Sequence, residues 1–211
     1  MYQFSLLAFL SSHPSPPLPL PFHPLSIYHP QAAKQSVLEL AGHRSDVRAV
    51  CLSADGALAA TCASDGVKVW STRTYLCLRS CATGYGVSVA FAPGARYVIT
   101  GTKDGHLQVV DSASGEVVVD QAAHTGAVWS LCVRPDGRGF ASASADKDVK
   151  FWDFTVEAGG VLGIALARQL SMAQDALCVR YSPTKSQEKL MVAVGLLDCT
   201  IKVKRVGWGR G

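Results

Sequence analysis

Several sequence patterns that announce a chemical site are missing from this chain. The seven cysteines include no Cys-x-x-Cys pair, so the spacing of a zinc site is absent, and we expect neither a metal nor another cofactor. No Gly-x-Ser-x-Gly motif occurs, which removes the nucleophile turn of the α/β-hydrolases. The apolar stretch 4–10 is too short to cross a bilayer and has no basic residues before it. These absences argue against an enzyme, a membrane protein and a secreted protein.

Charge is also scarce. Charged residues make up 17% of the chain and the net charge is +4, while apolar residues reach 48%. A buried core is therefore available, and the mild positive charge is less concentrated than in a dedicated nucleic-acid-binding domain. Cys51, Cys132 and Cys178 lie within apolar strands, where a thiol behaves as a small core residue. Unpaired cysteines of this kind fit a reducing compartment, the cytosol or nucleus.

The first part of the chain differs from the rest. Residues 1–33 contain no Asp, Glu, Lys or Arg, and seven prolines fall between Pro14 and Pro30. Such a segment favours extended polyproline-like conformations and cannot build a helix or a central strand. We therefore predict a Pro-rich disordered arm over residues 1–35, with order beginning near Ser36.

After Ser36 a pattern of about forty residues recurs four times. Each unit has two apolar residues in period-2 alternation, then a first turn, then a second turn that contains Asp. The first turns are Ala54-Asp55-Gly56, Pro93-Gly94, Pro135-Asp136-Gly137 and Pro183-Thr184. The second turns are Asp65-Gly66, Asp104-Gly105, Asp146-Lys147 and Asp198-Cys199. Short strands repeated on this period are typical of a β-propeller.

The clearest unit runs from His124 to Asp153, and it ends in Trp152-Asp153. Its opening, length and ending resemble one WD repeat, a four-stranded propeller blade. The predicted fold class is all-β, a WD-repeat β-propeller with about four blades of an incomplete seven- or eight-bladed ring. The partial propeller spans residues 36–211, with blades at about 41–81, 82–121, 122–170 and 171–206. Because four such blades leave both ends open, we expect the chain to be a fragment of a longer protein.

Four residues of the third blade, His124, Ser144, Asp146 and Trp152, could be mistaken for a hydrolase triad. In WD repeats, residues at these places join a hydrogen-bond chain from the Trp indole through Ser and His to the turn Asp, which rigidifies the blade. The sequence predicts a complete chain only here, and His124→Ala should therefore cost more stability than His43→Ala. The other blades keep only some members, namely His43, Asp65, Trp70, Asp104 and Asp198.

Partners of WD propellers commonly meet the loops that enter the first strand of each blade. Trp129 and Arg48 are the best anchors by residue type, because aromatic residues and Arg dominate interface hot spots. Packing of Trp129 on its own loop is the alternative. The candidate partner-binding residues are Asp46, Arg48, Tyr85, Trp129 and Asp175.

Less regular strings narrow the family. Those at 42–48 (GHRSDVR), 101–108 (GTKDGHLQ), 145–154 (ADKDVKFWDF), 177–183 (LCVRYSP) and 196–203 (LLDCTIKV) look like consecutive blades of one family. From about residue 37 to residue 203, the chain resembles the WD-repeat-containing protein three family, nucleolar scaffolds of the small-subunit processome.

That resemblance implies a parent with two propellers and a helical tail, in which this chain forms the first half of the second propeller. It also implies a non-catalytic role in early pre-rRNA processing and 18S rRNA maturation, in the nucleolus. The expected partners are other processome WD-repeat proteins, with pre-rRNA and small nucleolar RNA present in the same complex. No membrane and no small-molecule substrate is expected. A generic WD-repeat adaptor for signalling or ubiquitin ligation is the alternative.

Overall fold

The computed structural model describes residues 23–28, 36–157, 160–184 and 190–206. All regular secondary structure in these ranges is β-strand. No helix that could span a membrane occurs in them.

Fifteen of the strands form four antiparallel sheets, each a meander of strands consecutive in the chain. The first blade contains β3 (Ala49–Leu52), β4 (Leu58–Ala63), β5 (Gly66–Ser71) and β6 (Cys77–Cys81). The second contains β7 (Gly86–Phe91), β8 (Tyr97–Thr102), β9 (His106–Asp111) and β10 (Val117–Ala122). The third contains β11 (Val128–Val133), β12 (Gly139–Ser144), β13 (Asp148–Val156) and β14 (Leu162–Ser171). The fourth contains β15 (Ala176–Tyr181), β16 (Met191–Leu196) and β17 (Ile201–Arg205).

The blades stack face to face, and their first strands are neighbours: β7 lies between β3 and β11, and β15 follows β11. An apolar cluster fills each gap between consecutive blades. Strands such as β8 and β12 are consequently buried along their whole length, since both faces of the sheet are covered. This arrangement of meander sheets around their first strands is that of a β-propeller.

Hydroxyl groups on the first strands also tie one blade to the next. The Ser88 hydroxyl donates to the carbonyl of Val128 across a 2.6 Å gap, from the second blade to the third. Ser130 occupies the same place in the third blade, and its hydroxyl oxygen accepts the backbone N–H of Val179 at 3.2 Å. Each bond gives a buried backbone group of one blade a hydrogen-bond partner in the next blade.

The second turn has the same backbone conformation in all four blades. The residue after the turn Asp has a positive φ in each: 111° at Gly66, 94° at Gly105, 69° at Lys147 and 62° at Cys199. Glycine adopts this left-handed conformation freely, whereas Lys147 and Cys199 do so at a cost in conformational energy.

One strand pair departs from the sequence-based expectation. The segment expected to be disordered contains β1 (His23–Tyr28), which pairs antiparallel with β2 (Ser36–His43). The pairing supplies hydrogen-bond partners for the backbone of β2, and its register is irregular at Pro24, which has no N–H to donate. The prediction was therefore wrong for residues 23–28. Residues 1–22 and 29–35 lie outside the described residues.

Candidate interaction surface

A chain of side-chain hydrogen bonds runs through the third blade. The indole N–H of Trp152 donates to Ser142 Oγ at 2.9 Å, and Ser142 Oγ lies 2.8 Å from His124 Nε2. His124 Nδ1 in turn lies 2.8 Å from Asp146 Oδ2. Because a carboxylate only accepts, Nδ1 carries the imidazole proton and Nε2 accepts the serine hydroxyl. Every polar atom along the chain therefore has a partner.

The serine of this chain is Ser142, so the assignment of Ser144 was wrong. Ser144 Oγ instead donates to the carbonyl of Gly126 at 3.0 Å and accepts the N–H of Asp146 at 3.2 Å, which holds the second turn. The two serines point to the same face of β12, since they are two residues apart. Trp152 pairs with Phe140 on the neighbouring strand, which brings its indole to position 142.

The first blade contains the same chain, with a threonine in place of the serine. Trp70 Nε1 donates to Thr61 Oγ1 at 2.8 Å, which lies 2.7 Å from His43 Nε2, and His43 Nδ1 lies 2.7 Å from Asp65 Oδ1. The expectation of one complete chain, in the third blade alone, was therefore wrong. Thr61 precedes Asp65 by four residues, as Ser142 precedes Asp146, and this shared offset is the signal that would have found both.

The second and fourth blades use their turn aspartates differently. A hydrogen bond from Thr102 lowers the pKa of Asp104. Asp198 Oδ1 accepts both the N–H and the hydroxyl of Thr200, at 3.1 and 2.6 Å. Each of these carboxylates therefore stabilises its own turn.

Burial and hydrogen bonding set the charge of the histidine and the aspartate in the two complete hydrogen-bond chains. Burial lowers the pKa of His43 and His124, although the aspartate beside each acts in the opposite direction. Burial also opposes ionisation of Asp65 and Asp146, but hydrogen bonds from histidine and backbone N–H groups outweigh it and hold both pKa values below the usual range. Each pair is thus a neutral imidazole beside a carboxylate.

This arrangement cannot work as a hydrolase triad. Ser142 is completely buried, and the side chain of His124 is 0% exposed. No substrate can approach the hydroxyl, whose oxygen already accepts the Trp152 indole N–H. The hydrogen-bond chain of the third blade is therefore structural. Among the described residues, no group of three or more His, Cys, Asp or Glu side chains could hold a metal ion.

The candidate partner-binding residues lie where the loops enter the first strands. We define the inner rim as the four equivalent positions of the blades, which are Arg48, Val87, Trp129 and Leu177. Val87 is buried, whereas Arg48 is exposed and Trp129 and Leu177 are 37% and 40% exposed. Because β11 and β15 are neighbours, the two exposed apolar side chains belong to adjacent strands.

The other candidates occupy a second position in each loop. The carbonyls of Tyr85, Ala127 and Asp175 accept a backbone N–H from the second turn of their own blade, at 2.9 to 3.0 Å. These bonds fix the loop and leave the side chains to the surface. Lys103 Nζ lies 5.4 Å from the centre of the Tyr85 ring, a cation–π contact, so Tyr85 is partly committed within its blade. Asp46 is exposed at the equivalent place in the first blade.

Meander blades that stack on their first strands, with Trp–Ser/Thr–His–Asp chains inside two of them, define a WD-repeat β-propeller. Propellers of this class are generally non-catalytic. Comparison with known proteins then identifies the family: residues 46–205 match the model of the WDR3 second beta-propeller domain. The chain belongs to the WD repeat-containing protein 3 family, which confirms the resemblance seen in the sequence.

Individual relatives agree with this assignment. WD repeat-containing protein 3 of Mus musculus is 42% identical over 183 residues, which cover 84% of this chain and 19% of the relative. The U3 small nucleolar RNA-associated protein 12 of Saccharomyces cerevisiae is 37% identical over 195 residues, 87% of this chain and 20% of the relative. The chain thus spans about a fifth of the length of these relatives.

A solved structure supports the fold class independently. The structure of U3-55K superimposes with a TM-score of 0.66 and covers 79% of this chain and 51% of the other, at 16% sequence identity. At that identity the likeness concerns the fold alone. It confirms the predicted β-propeller, of which this chain forms a partial ring.

Proposed function

We propose that this chain is a non-catalytic scaffold of the small-subunit processome, acting in early pre-rRNA processing and 18S rRNA maturation in the nucleolus. The observation that carries the proposal is the match of residues 46–205 to the second propeller of the WD repeat-containing protein 3 family. The name of the yeast relative, a U3 small nucleolar RNA-associated protein, supplies the link to a ribonucleoprotein complex. Its partners are then other processome WD-repeat proteins, assembled with pre-rRNA and small nucleolar RNA.

The chemistry of the blades supports a binding role. The His–Asp pairs lie inside the blades and their hydroxyl partners are buried, so the blades are rigid supports. The inner rim is a surface that these rigid blades present to a partner. Rigid strands that hold an exposed tryptophan and an arginine present two residue types that dominate interface hot spots, at a low entropic cost. The exposed leucine beside them adds apolar contact area.

We place the main contact with a protein partner at Trp129 and Leu177, with Arg48 contributing a charge at the other end of the inner rim. Trp129 is more than one third exposed although both neighbouring positions of its strand, Val128 and Ser130, are buried. Packing on its own loop therefore leaves a large part of the indole accessible. Asp46, Tyr85 and Asp175 surround the rim and provide polar contacts.

Sedimentation of the tagged chain in a nucleolar extract tests the proposal. The chain should migrate in large particles that also contain U3 small nucleolar RNA and pre-rRNA. Joint replacement of Trp129 and Arg48 by Ala should reduce several-fold the fraction of the chain that sediments in these particles. Truncation of a hot-spot residue costs about 2 kcal/mol or more of binding free energy. Leu76→Ala is the control, because Leu76 is 65% exposed on the first blade away from the rim.

Two results would contradict the proposal. The intact chain could remain at the top of the gradient, free of U3 RNA. Alternatively, affinity purification could recover mainly cullin subunits, which would favour an adaptor in ubiquitin ligation. Thermal melting of each variant shows whether it is folded before its sedimentation is interpreted.

A further inference from the structure

A cavity of about 450 Å³ opens at the end of the first strands opposite the inner rim. The first turns of three consecutive blades form it, so no single blade could provide it alone. The lining residues that bear on its chemistry are Leu52, Ala54, Asp55, Pro93, Arg134 and Pro135. None of them takes part in the Trp–His–Asp chains or in the inner rim.

Backbone hydrogen bonds preform this cavity. In each of the three turns a backbone N–H donates to the carbonyl of the residue three positions earlier, at 2.9 to 3.0 Å. These bonds run from Gly56 to Ser53, from Ala95 to Ala92 and from Gly137 to Arg134. The blades on either side are fixed by their apolar clusters. An occupant therefore meets a rigid wall and requires little ordering of the protein, which favours affinity.

The wall is mainly apolar and its charges are unequal. Arg134 is buried, and its guanidinium binds Asp136 at 2.6 Å and Asp153 at 3.2 Å, so its charge is compensated within the blade. Asp55 is exposed and has no ion pair among the described residues. Its Oδ1 accepts the Ser53 hydroxyl and the N–H of Ala57, and these bonds lower its pKa. The cavity thus has one uncompensated negative charge at its edge.

We propose that this cavity binds an extended segment of a protein partner, which inserts an apolar side chain between the three turns and pairs a neighbouring Lys or Arg with Asp55. Leu52, which is 37% exposed, and the prolines Pro93 and Pro135 supply the apolar contact. A nucleic acid is disfavoured, because the carboxylate repels phosphate. A small metabolite is disfavoured too, because such sites converge several polar groups on their ligand. This inference does not depend on the proposed ribosomal role.

A peptide library tests the inference directly. The probes are N-acetylated, fluorescein-labelled pentapeptides with Leu, Met or Phe at the second position and Lys or Arg at the third or fourth, titrated by fluorescence anisotropy against the 211-residue chain. At least one should bind with a Kd below about 1 mM. Replacing its basic residue by norleucine should weaken binding about 2- to 5-fold, as expected for an exposed ion pair.

Matched variants localise the binding. Ala54→Trp fills the mouth of the cavity and should weaken binding at least 10-fold, whereas Ala57→Trp adds the same bulk to an exposed position of the same turn outside the cavity and should leave it unchanged. Asp55→Asn should reproduce the norleucine effect, because Asn keeps the turn hydrogen bonds and removes the charge. If Ala54→Trp melts at a lower temperature than the intact chain, Ala54→Lys blocks the same site by charge.

Equal binding by the intact chain and by both Ala54 variants would overturn the inference, as would a library without any binder. Displacement of the best peptide by a single-stranded RNA would also overturn it, since the surface would then recognise phosphate. None of these results bears on the sedimentation test of the proposed function, because the variants in that test change residues of the inner rim and not of the cavity.

Discussion

Thr61 and Ser142 perform the same task with different side chains. Each hydroxyl accepts an indole N–H and donates to a buried histidine, whose other nitrogen is held by a turn aspartate. Removing any member takes a hydrogen-bond partner from the groups that it contacts, most of which are buried. The two blades should therefore respond alike to the same substitution, although their sequences differ.

His43→Ala and His124→Ala should accordingly lower the free energy of unfolding by similar amounts, about 1–3 kcal/mol each, the cost of leaving buried polar groups unsatisfied. This replaces the sequence-based expectation that His124→Ala is the costlier change. Urea denaturation followed by tryptophan fluorescence measures both, with His106→Ala as a control because that side chain is 40% exposed. A near-zero effect of His43→Ala would contradict the structure.

The same histidines make stability depend on pH. Burial depresses their pKa values in the folded protein, so the unfolded state, with a histidine pKa of about 6.5, takes up protons first as the pH falls. The stabilisation that the two neutral histidines contribute is therefore full above pH ~6.5 and declines as the pH falls below that value. The depressed pKa values of Asp65 and Asp146 add a second loss only near and below pH ~4.

The melting temperature should therefore fall between pH 7 and about pH 5.5, a window set by the ordinary histidine pKa. The double variant His43→Gln with His124→Gln should melt lower at pH 7 but with a flatter pH profile, because glutamine binds no proton. Differential scanning fluorimetry across the window gives both slopes. A double variant that keeps the slope of the intact chain would refute this account.

At the scale of elements, the turn residues were what allowed the blades to be located from the sequence. Pro, Gly and Asp at fixed offsets located four units, because these residues have strong local backbone preferences. The period of a strand does not distinguish Ser142 from Ser144, since the two are two residues apart, and only the offset of four residues to the turn Asp, shared with Thr61, separates them. The pairing of β1 with β2 depends on contacts between two strands, which the residue pattern within one segment does not record.

The shared backbone conformation of the second turns gives an element-scale prediction. Lys147 has a φ of 69°, where the first two blades have Gly66 and Gly105. Lys147→Gly should raise the free energy of unfolding by about 0.5–1 kcal/mol, the relief of left-handed strain less the entropy that glycine adds to the unfolded chain. Urea denaturation again measures it.

Gly105→Ala is the informative opposite. An added Cβ would collide with the carbonyl oxygen of His124 and would force the loop entering the third blade to move. We expect a loss well above the gain at Lys147. Stabilisation by Gly105→Ala, or destabilisation by Lys147→Gly, would show that the second turns are not equivalent.

At the scale of the whole molecule, the fourth sheet is asymmetric. One face packs against the third blade, while Met191, Ile201 and Val203 on the other face are 41%, 74% and 55% exposed. Cross-strand pairing places these three side chains on one surface. Contiguous exposed apolar side chains of this kind promote association.

Ile201→Lys should therefore raise the concentration at which the chain begins to self-associate, without lowering its melting temperature. Light scattering over a concentration series measures the onset. Leu76→Lys is the matched control, because Leu76 is 65% exposed but lies on the first blade. Equal effects of the two changes would mean that charge alone, and not this surface, governs association.

The hydrogen bonds from Ser88 to Val128 and from Val179 to Ser130 connect the second blade to the third and the fourth to the third. Each apolar cluster likewise spans one pair of consecutive blades. Energetically, the molecule then resembles a row of coupled units, in which a disturbance must travel through every intervening unit. A defect in the first blade would reach the fourth only after crossing three interfaces between blades. The cooperativity of this chain is thus better expressed as the number of blades that unfold together than as a single transition temperature. Amide hydrogen exchange, resolved blade by blade, would measure that number.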